Sequence, residues 1–522
     1  MAISTRSVAN PEVPGASGWP WHTPLVGSVR VSLLNNAQRR LEAETYLADG
    51  YGIRLAIEAK TSGWVRFGQL AKASAPPRIK QVMVSPEYGV PYLNTSQVFD
   101  VRPKPRKWLA MSKTTKAEER LVKEGTILVM ASATVGRSIV ATKAHENTVI
   151  SHHFMRVLPV DAEFAGWVYA FLRSPHALSM MKGSQYASVI RHIEPRHLAT
   201  LPVPEVSREV AARFQSRVDT IVACRNNAAR LRDTAEAAFA AAIGQIGTAG
   251  REEGFTVSLT AAVAGRRRLE AAYHTPRAQA IIDSFKTWER LGDITDGIWW
   301  GNRFKRHYGD NGIPYLSADD VFTTNPYSST RILVNPNDGH ESFFVERGWI
   351  VMACSGQTYG LNGAAAITTE WHENAFFSHD MIRIKPKVGA RAGYLLTVLT
   401  HPVLGRPLLI REAYGMSIPH LDPGDVAAFP VVRFDSKIEN RIADLAEESS
   451  LEQARAEILE RELAEEAGKI ISGFLLRPSL EIPLEDEADV AIARQRLAEI
   501  DAHPDRILGG SKLKEKMKRW ES

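Results

Sequence analysis

Two stretches of this chain hold residue types that perform chemistry in other settings. Ser378-His379-Asp380 has the composition of a nucleophile, a base and an acid. Consecutive residues on a strand point to alternate faces and do not converge, so the stretch reads as a strand end. His192 and His197 flank Glu194 and Pro195. Their spacing differs from the H-E-x-x-H pair that holds zinc, and Pro195 disfavours the helix that would align two ligands. These read as loop histidines. The two cysteines, Cys224 and Cys354, are too few for a disulfide framework or a four-cysteine zinc site. Cys224 falls on an apolar helix face and Cys354 in an apolar strand, so both read as core.

Asn325-Pro326-Tyr327 shares residues with an amino-methyltransferase loop. The second proline of that loop is missing, and no glycine-rich turn follows a strand upstream. Neither a G-x-x-x-x-G-K-[ST] loop nor a dinucleotide fingerprint in a strand–turn–helix setting is present. The sequence therefore points to a chain without a catalytic centre, a metal or a cofactor of its own.

Charge is more informative. Lys and Arg number 64 against 59 Asp and Glu, a formal charge of +5. That balance excludes a histone-like polycation and an acidic disordered tail. It hides a contrast. Residues 65–205 carry 19 Lys/Arg against 10 Asp/Glu, a net of +9. Residues 288–433 carry 13 against 15, and residues 436–475 carry 5 against 10. The first excess clusters at Lys72, Arg78 and Lys80, at Arg102, Lys104, Arg106 and Lys107, and at Lys113 and Lys116. A compact counterpart, Arg303, Lys305, Arg306 and His307, lies beside Trp299 and Trp300. Cationic groups in proline-rich loops suit the approach to phosphates and base edges.

The elements that position these loops come in duplicate. Gly89-Val-Pro-Tyr-Leu93, Val98-Phe99 and Pro103 recur 223 residues later as Gly312-Ile-Pro-Tyr-Leu316, Val321-Phe322 and Pro326. Val122, Gly125 and Ile127 match Val345, Gly348 and Ile350 at the same offset, and Ser132 matches Ser355. A few residues on, the offset becomes 227. Glu146-Asn147, Ser151-His152, Arg156, Pro159 and Pro175 then match Glu373-Asn374, Ser378-His379, Arg383, Pro386 and Pro402. Each copy closes alike, with Tyr186, His192, Pro195 and Pro202-Val203 against Tyr414, His420, Pro423 and Pro430-Val431. Ordered matches over about 115 residues point to two homologous domains.

Each copy is mostly short β-type runs, such as Thr126–Ala131 and Trp349–Cys354, followed by a helical stretch at Ala165–Arg173 and Ala392–Thr400. A longer helix follows each. Val210, Phe214, Val218, Ile221, Cys224, Ala228, Leu231, Ala235 and Phe239 recur at spacings of three and four, ending at Gly244. In the second, Ser436 and Glu439 have capping-box spacing, and the stripe of Ile442, Leu445, Ile458, Leu463, Ile470 and Phe474 is interrupted at Ser449 and Glu452. Helices of about 38 residues reach ~57 Å and pair with each other or with a partner.

The reading is a mixed α+β chain of the α/β class. It comprises an N-terminal extension (1–64), a first domain (65–206), a first long helix (207–245), a connecting segment (246–287), a second domain (288–434), a second long helix (435–476) and a C-terminal tail (477–522). The tail ends in Lys512, Lys514, Lys516, Lys518 and Arg519. Length and composition, 522 residues with 44% hydrophobic and 24% charged, suit two to four globular domains. Met1–Trp21 has three prolines and no apolar run of signal-peptide length, and no stretch approaches the ~18 apolar residues of a membrane span. A reducing cytoplasm is the expected compartment.

The ordered duplication, with a G-x-P-Y-L segment, a central G-x-I strand and a P-V segment leading into a long helix, resembles the specificity (S) subunit of type I restriction–modification systems. The resemblance spans about 65–244 and 288–476; the N-terminal extension, the 245–287 insert and the basic tail depart from the compact family pattern. It implies two target recognition domains, each reading half of a bipartite, asymmetric DNA sequence. The long helices would pair as an antiparallel coiled-coil spacer that docks two methyltransferase subunits, with restriction or translocase subunits as further partners. S-adenosylmethionine, ATP and Mg would be used by those partners. By the same resemblance, the loops carrying Asn94, Gln97, Arg102, Lys104, Arg106, Lys107, Ser184, Gln185, Tyr186, Arg303, Lys305, Arg306, His307 and Ser317 are the expected DNA contacts. The competing readings are a specificity subunit of another methylation-based phage-defence system lacking a type I nuclease, a DNA-binding enzyme with its own catalytic domain, and a scaffold that binds only proteins.

Overall fold

The computed structural model describes residues 49–78, 80–113, 120–186, 191–247, 254–263, 268–326, 330–334 and 339–476, and the short strand pair Arg6–Ser7 with Leu25–Val26. Lys116, Tyr327 and the whole tail from 477, with its basic end, lie outside the described residues.

The run Ile127–Met130 is apolar throughout because both of its faces are buried. Ile127 and Val129 enter one core, while Leu128 and Met130 enter a second. This strand is internal to an antiparallel sheet ordered Ala71–Ser74, Phe154–Pro159, Ile127–Met130, Ser138–Val140. A second sheet adds Val149–Ile150, Val90–Leu93, Lys107–Leu109 and Met83–Val84. The same plan recurs downstream. Ile350–Ala353 divides its side chains between two cores and is internal to the sheet Thr295–Trp300, Met381–Pro386, Ile350–Ala353, Ala365–Ile367. Arg156 pairs with Leu128 in the first sheet and Arg383 with Val351 in the second, the registers that offsets of 227 and 223 require. Each unit is closed by a strand pair, Trp64–Arg66 with Pro202–Pro204 and Trp288–Arg290 with Pro430–Val432.

Two long helices join the units. The first spans Arg208–Ile243; Ser207 caps it by accepting from Val210 N–H, and Gly244 ends it at φ +80. The second spans Ser436–Leu476. Here the expected cap shifts by one residue. Asp435, not Ser436, accepts from Lys437 N–H at 2.8 Å, while the Glu439 carboxylate accepts from Phe434 N–H and from Arg433. An aspartate just before the helix outcompetes the serine because its charge also meets the positive end of the helix dipole.

The helices run antiparallel. Arg213 and Arg217 reach Glu466, Asn227 reaches Glu452, and Ser449 Oγ donates to the Ala228 carbonyl at 2.7 Å. Ser449 and Glu452, which interrupt the apolar stripe, are thus polar contacts between the helices rather than breaks in the packing.

The rod carries one unit at each end. The first core takes in Phe214, Val218 and Ile221 with Leu463, Ala467 and Ile471; the second takes in Ala235 and Phe239 with Ile442 and Ala443. The helices Ala165–Arg173 and Ala392–Thr400 lie against the rod at a matched glycine. A Cβ on Gly166 would stand 2.3 Å from the Gln215 backbone nitrogen, and one on Gly393 2.3 Å from the Ala443 carbonyl oxygen. Asp49–Glu58 brings Ile57 into the first core, and Pro276–Asp283 brings Ala278 and Ile281 into the second.

Candidate nucleic-acid interface

A cleft of about 1510 Å³ runs between the two units, with Arg232, Glu236, Ser449 and Gln453 of the rod among its lining. The unit walls meet along a short seam. Val101 N–H donates to the Phe322 carbonyl at 3.0 Å, and Thr324 N–H donates to the Phe99 carbonyl at 2.7 Å, around an antiparallel bridge between Asp100 and Thr323. These are equivalent residues, 223 apart. The segment therefore pairs with its own copy, and the chain has an internal two-fold axis through the seam.

Beneath the seam lies a buried polar network. Arg225 NH2 donates to Glu457 at 3.3 Å and to Asn325 Oδ1 at 3.1 Å, and it pairs with Glu460. Asn325 N–H donates to Glu457 at 3.2 Å, its amide donates to Tyr169 Oη and the Ser138 carbonyl, and Tyr169 donates to Glu460. Arg137 covers the Phe99 ring and donates to the Thr324 and Asn325 carbonyls. Burial raises the Glu457 carboxyl, and Arg225 opposes that rise. Burial disfavours charge on Arg225 too, yet Glu457 and Glu460 prevail and hold it firmly protonated. Arg225, Glu457, Asn325 and Arg137 were not singled out for these roles from sequence. Their signal was faint: Asn325-Pro326 stands at the repeat position of Arg102-Pro103.

The residues expected to contact DNA divide sharply. Asn94, Arg102, Lys104, Arg106, Arg306 and Ser317 line the cleft. Several of their polar groups already serve the fold. Both guanidinium branches of Arg102 bind Glu236 of the rod, and Ser317 Oγ caps the helix Ala318–Phe322 with Asp320. Gln97, only 2% exposed, is a correction. Its amide donates to the Lys104 carbonyl and accepts from Asn94 N–H, so it braces its own loop. Lys107, Ser184, Gln185, Tyr186, Arg303, Lys305 and His307 are not among the cleft-lining residues. Ser184 Oγ bonds back to the Met180 carbonyl, and Tyr186 donates to Glu194.

Lys104 is one of three strongly perturbed cations of the wall, with Arg137 and Arg232. Burial in the cleft, then Arg102, Arg232 and Arg406, lower its ammonium to about 8. Arg106 stands over the Tyr359 ring at 5.6 Å. On the opposite account, burial raises Asp100 to about 6 despite Arg106. A cationic group crowded by other cations gains most from an arriving polyanion.

Each unit also brings one polar corner into the cleft. In the first, Ala131 N–H donates to the His153 carbonyl, Ile193 N–H donates to the Ala131 carbonyl, and Ser132 bridges His192. In the second, Cys354 N–H donates to the Asp380 carbonyl, Leu421 N–H donates to the Cys354 carbonyl, and Ser355 bridges His420. Ser378-His379-Asp380 is a tight turn between two strands rather than a strand end. Asp380 N–H donates to Ser378 Oγ at 3.2 Å, and His379 Nε2 is 3.3 Å from Asp380 Oδ1. His379 Nδ1 meets Arg306 at 2.7 Å, so the three groups do not form a relay from serine to histidine. Pro195 also departs from expectation: it opens the one-turn helix Pro195–Ala199, because proline suits the first helical position. Glu194 N–H donates to His197 Nδ1 at 2.8 Å, and His192 stays outside that turn.

Cys224 and Cys354 are both buried, and burial raises the two thiols to about 11 and about 12. Among the described residues no group of three His, Cys, Asp or Glu could hold a metal ion, and no helix is long and apolar enough to cross a membrane.

No protein-family model and no curated protein matches the sequence. Among solved structures, the chain is similar to the type I restriction–modification S subunit from M. genitalium, at 14% identity over 80% of this chain and 96% of that one, with a TM-score of 0.31. It is similar to the HsdS subunit from Thermoanaerobacter tengcongensis at 13% identity over 80% and 97%, with a TM-score of 0.23. A chain from a structure of a type I R-M system matches at 14% identity over 79% and 97%, with a TM-score of 0.24.

Proposed function

We propose that this chain is the sequence-specific DNA-binding specificity subunit of a type I restriction–modification complex, and that it reads a bipartite, asymmetric target. The observation that carries this reading is the internal two-fold: two units that share the order of a four-stranded sheet sit at opposite ends of an antiparallel helical rod, and equivalent backbone groups meet at the seam. A symmetric frame presents two readers to a duplex whose own backbone is two-fold related, so half-site spacing becomes a geometric quantity. Divergent side chains on that frame make the two half-sites differ.

In this reading residues 65–206 and 288–434 are the target recognition domains, and 207–245 and 435–476 are the spacer helices. Asn94, Lys104, Arg106 and Arg306 face the duplex, while Arg102 supports the wall through Glu236. The acidic second helix is poor DNA surface and suits docking of methyltransferase subunits, with restriction or translocase subunits beyond them. Adenine methylation with S-adenosylmethionine, and ATP- and Mg-dependent cleavage, belong to those partners, and the complex works in the cytoplasm.

Deleting the gene should erase adenine methylation at one two-part motif with a fixed-length, nonspecific spacer. Long-read methylome mapping of the wild-type and deletion strains tests this. An unchanged methylome refutes the proposal.

A further inference from the structure

Among the cleft-lining residues, one pair of equivalent positions joins an unchanged frame to reversed chemistry. The corners around His153 and Asp380 share their serines (Ser132, Ser355), their bridging histidines (His192, His420), their tyrosines (Tyr186, Tyr414) and the same backbone hydrogen bonds. Both corners open into the cleft. Yet the residue that follows the shared Ser-His is histidine in one unit and aspartate in the other.

We infer that His153 and Asp380 are the paired base-reading positions of the two units, the first offering a hydrogen-bond donor and the second an acceptor. This inference rests on the DNA-reading function proposed above. Ser132 Oγ stands 2.6 Å from His153 Nδ1. With the hydroxyl donating there, the ring proton resides on Nε2, the nitrogen left for a ligand. An N–H donor matches the acceptor edges of guanine or thymine in the major groove. Asp380 is acceptor-only. Ser378 at 3.4 Å and His379 at 3.3 Å occupy two of its roughly four lone-pair positions. The remainder match an exocyclic amine, cytosine N4 or adenine N6, and repel a carbonyl edge. Arg306, held by His379 and lying over Tyr315, keeps the second corner cationic enough for a carboxylate to stand near phosphates.

The test uses the full-length chain, affinity-purified from its host with its bound subunits. Three duplexes serve as probes: one carrying the motif that methylome mapping identifies, one with the first half-site scrambled and one with the second scrambled. Asp380→Asn is isosteric and adds a donor. It should lower discrimination roughly tenfold at one half-site and leave the other unchanged. His153→Phe, which keeps a ring and removes the donor, should do the converse, and Ser132→Ala, which releases the His153 tautomer, should move the same half-site ratio as His153→Phe. Melting curves identify any variant that unfolds, and the Ser132 variant then stands in for the first corner. Unchanged ratios overturn the inference, and so do equal losses at both half-sites, which mark a general binding defect. A wild-type chain that fails to distinguish the three duplexes overturns the DNA-reading function instead.

Discussion

Asn325 shows how far a residue's role can lie from its local motif. Beside Pro326 it shares residues with a methyltransferase loop, but the second proline and the glycine-rich turn of that loop are missing. In the fold it adopts φ +50, which asparagine tolerates, and ties Tyr169, Arg225 and Glu457 together from segments 100 to 156 residues away. No pattern of neighbouring residues announces such a contact, because its partners converge only through tertiary structure. His372 is a second case. Its Nδ1 accepts from Thr369 N–H at 3.1 Å, as His145 Nδ1 accepts from Thr142 N–H, and burial lowers the His372 ring to about 4. The folded pKa thus lies below the unfolded value near 6.5. Between those values the unfolded chain binds a proton that the folded chain refuses, so stability falls as pH drops from about 6.5 toward 4. Replacing His372 with Gln should remove up to about 3 kcal/mol of that acid-dependent loss. Urea melts at pH 7 and pH 4.5 check it; wild-type and variant curves that fall in parallel would exclude the role.

At the scale of elements, much was legible. The strand runs, both short helices and the end of the first long helix at Gly244 follow from apolar periodicity and punctuation. What escaped were features set by packing partners. Ser449 and Glu452 look like interruptions until the opposite helix supplies the Ala228 carbonyl and Asn227. Gly166 and Gly393 sit at equivalent positions, but only the rod's backbone against them gives the reason for glycine. Gly166→Ala should cost roughly 1–3 kcal/mol through overpacking, since the obstructing atoms are backbone and cannot rotate away. Gly473→Ala offers the contrast: nothing lies within 4 Å of its Cβ direction, and alanine there should gain about 1 kcal/mol from helix propensity. Thermal melts of the two variants should shift in opposite directions. A shift of the same sign in both would show that close approach does not govern Gly166.

For the whole molecule, the duplication was readable because framework residues recur at fixed offsets. The relation between the copies was not, since nothing in either segment states that Asp100 will lie beside Thr323. In the proposed function, that contact bears on how the rod sets the distance between half-sites. The units are joined both by the rod and by the seam, so a lone insertion in the first helix slips its polar partners against the second. Adding about four residues, one helical turn, within 210–240 should therefore destabilise the chain. A matching insertion opposite it, near Glu452, should restore the contacts between the helices and lengthen the spacer between half-sites without altering either half-site, while the two hydrogen bonds of the seam are given up. Methylome mapping of the paired insertion checks this; a change in half-site identity would contradict it. The seam has a consequence for how the two copies can drift apart. It is made of backbone N–H and carbonyl groups, which every residue but proline supplies in full. Asp100 could therefore diverge from Thr323, and Arg102 from Asn325, without opening it. In the proposed function, a joint whose pairing is made by backbone groups lets one copy acquire a new preference while the other keeps its own, provided that Arg137, Thr324 and Asn325 keep the side-chain contacts that brace it.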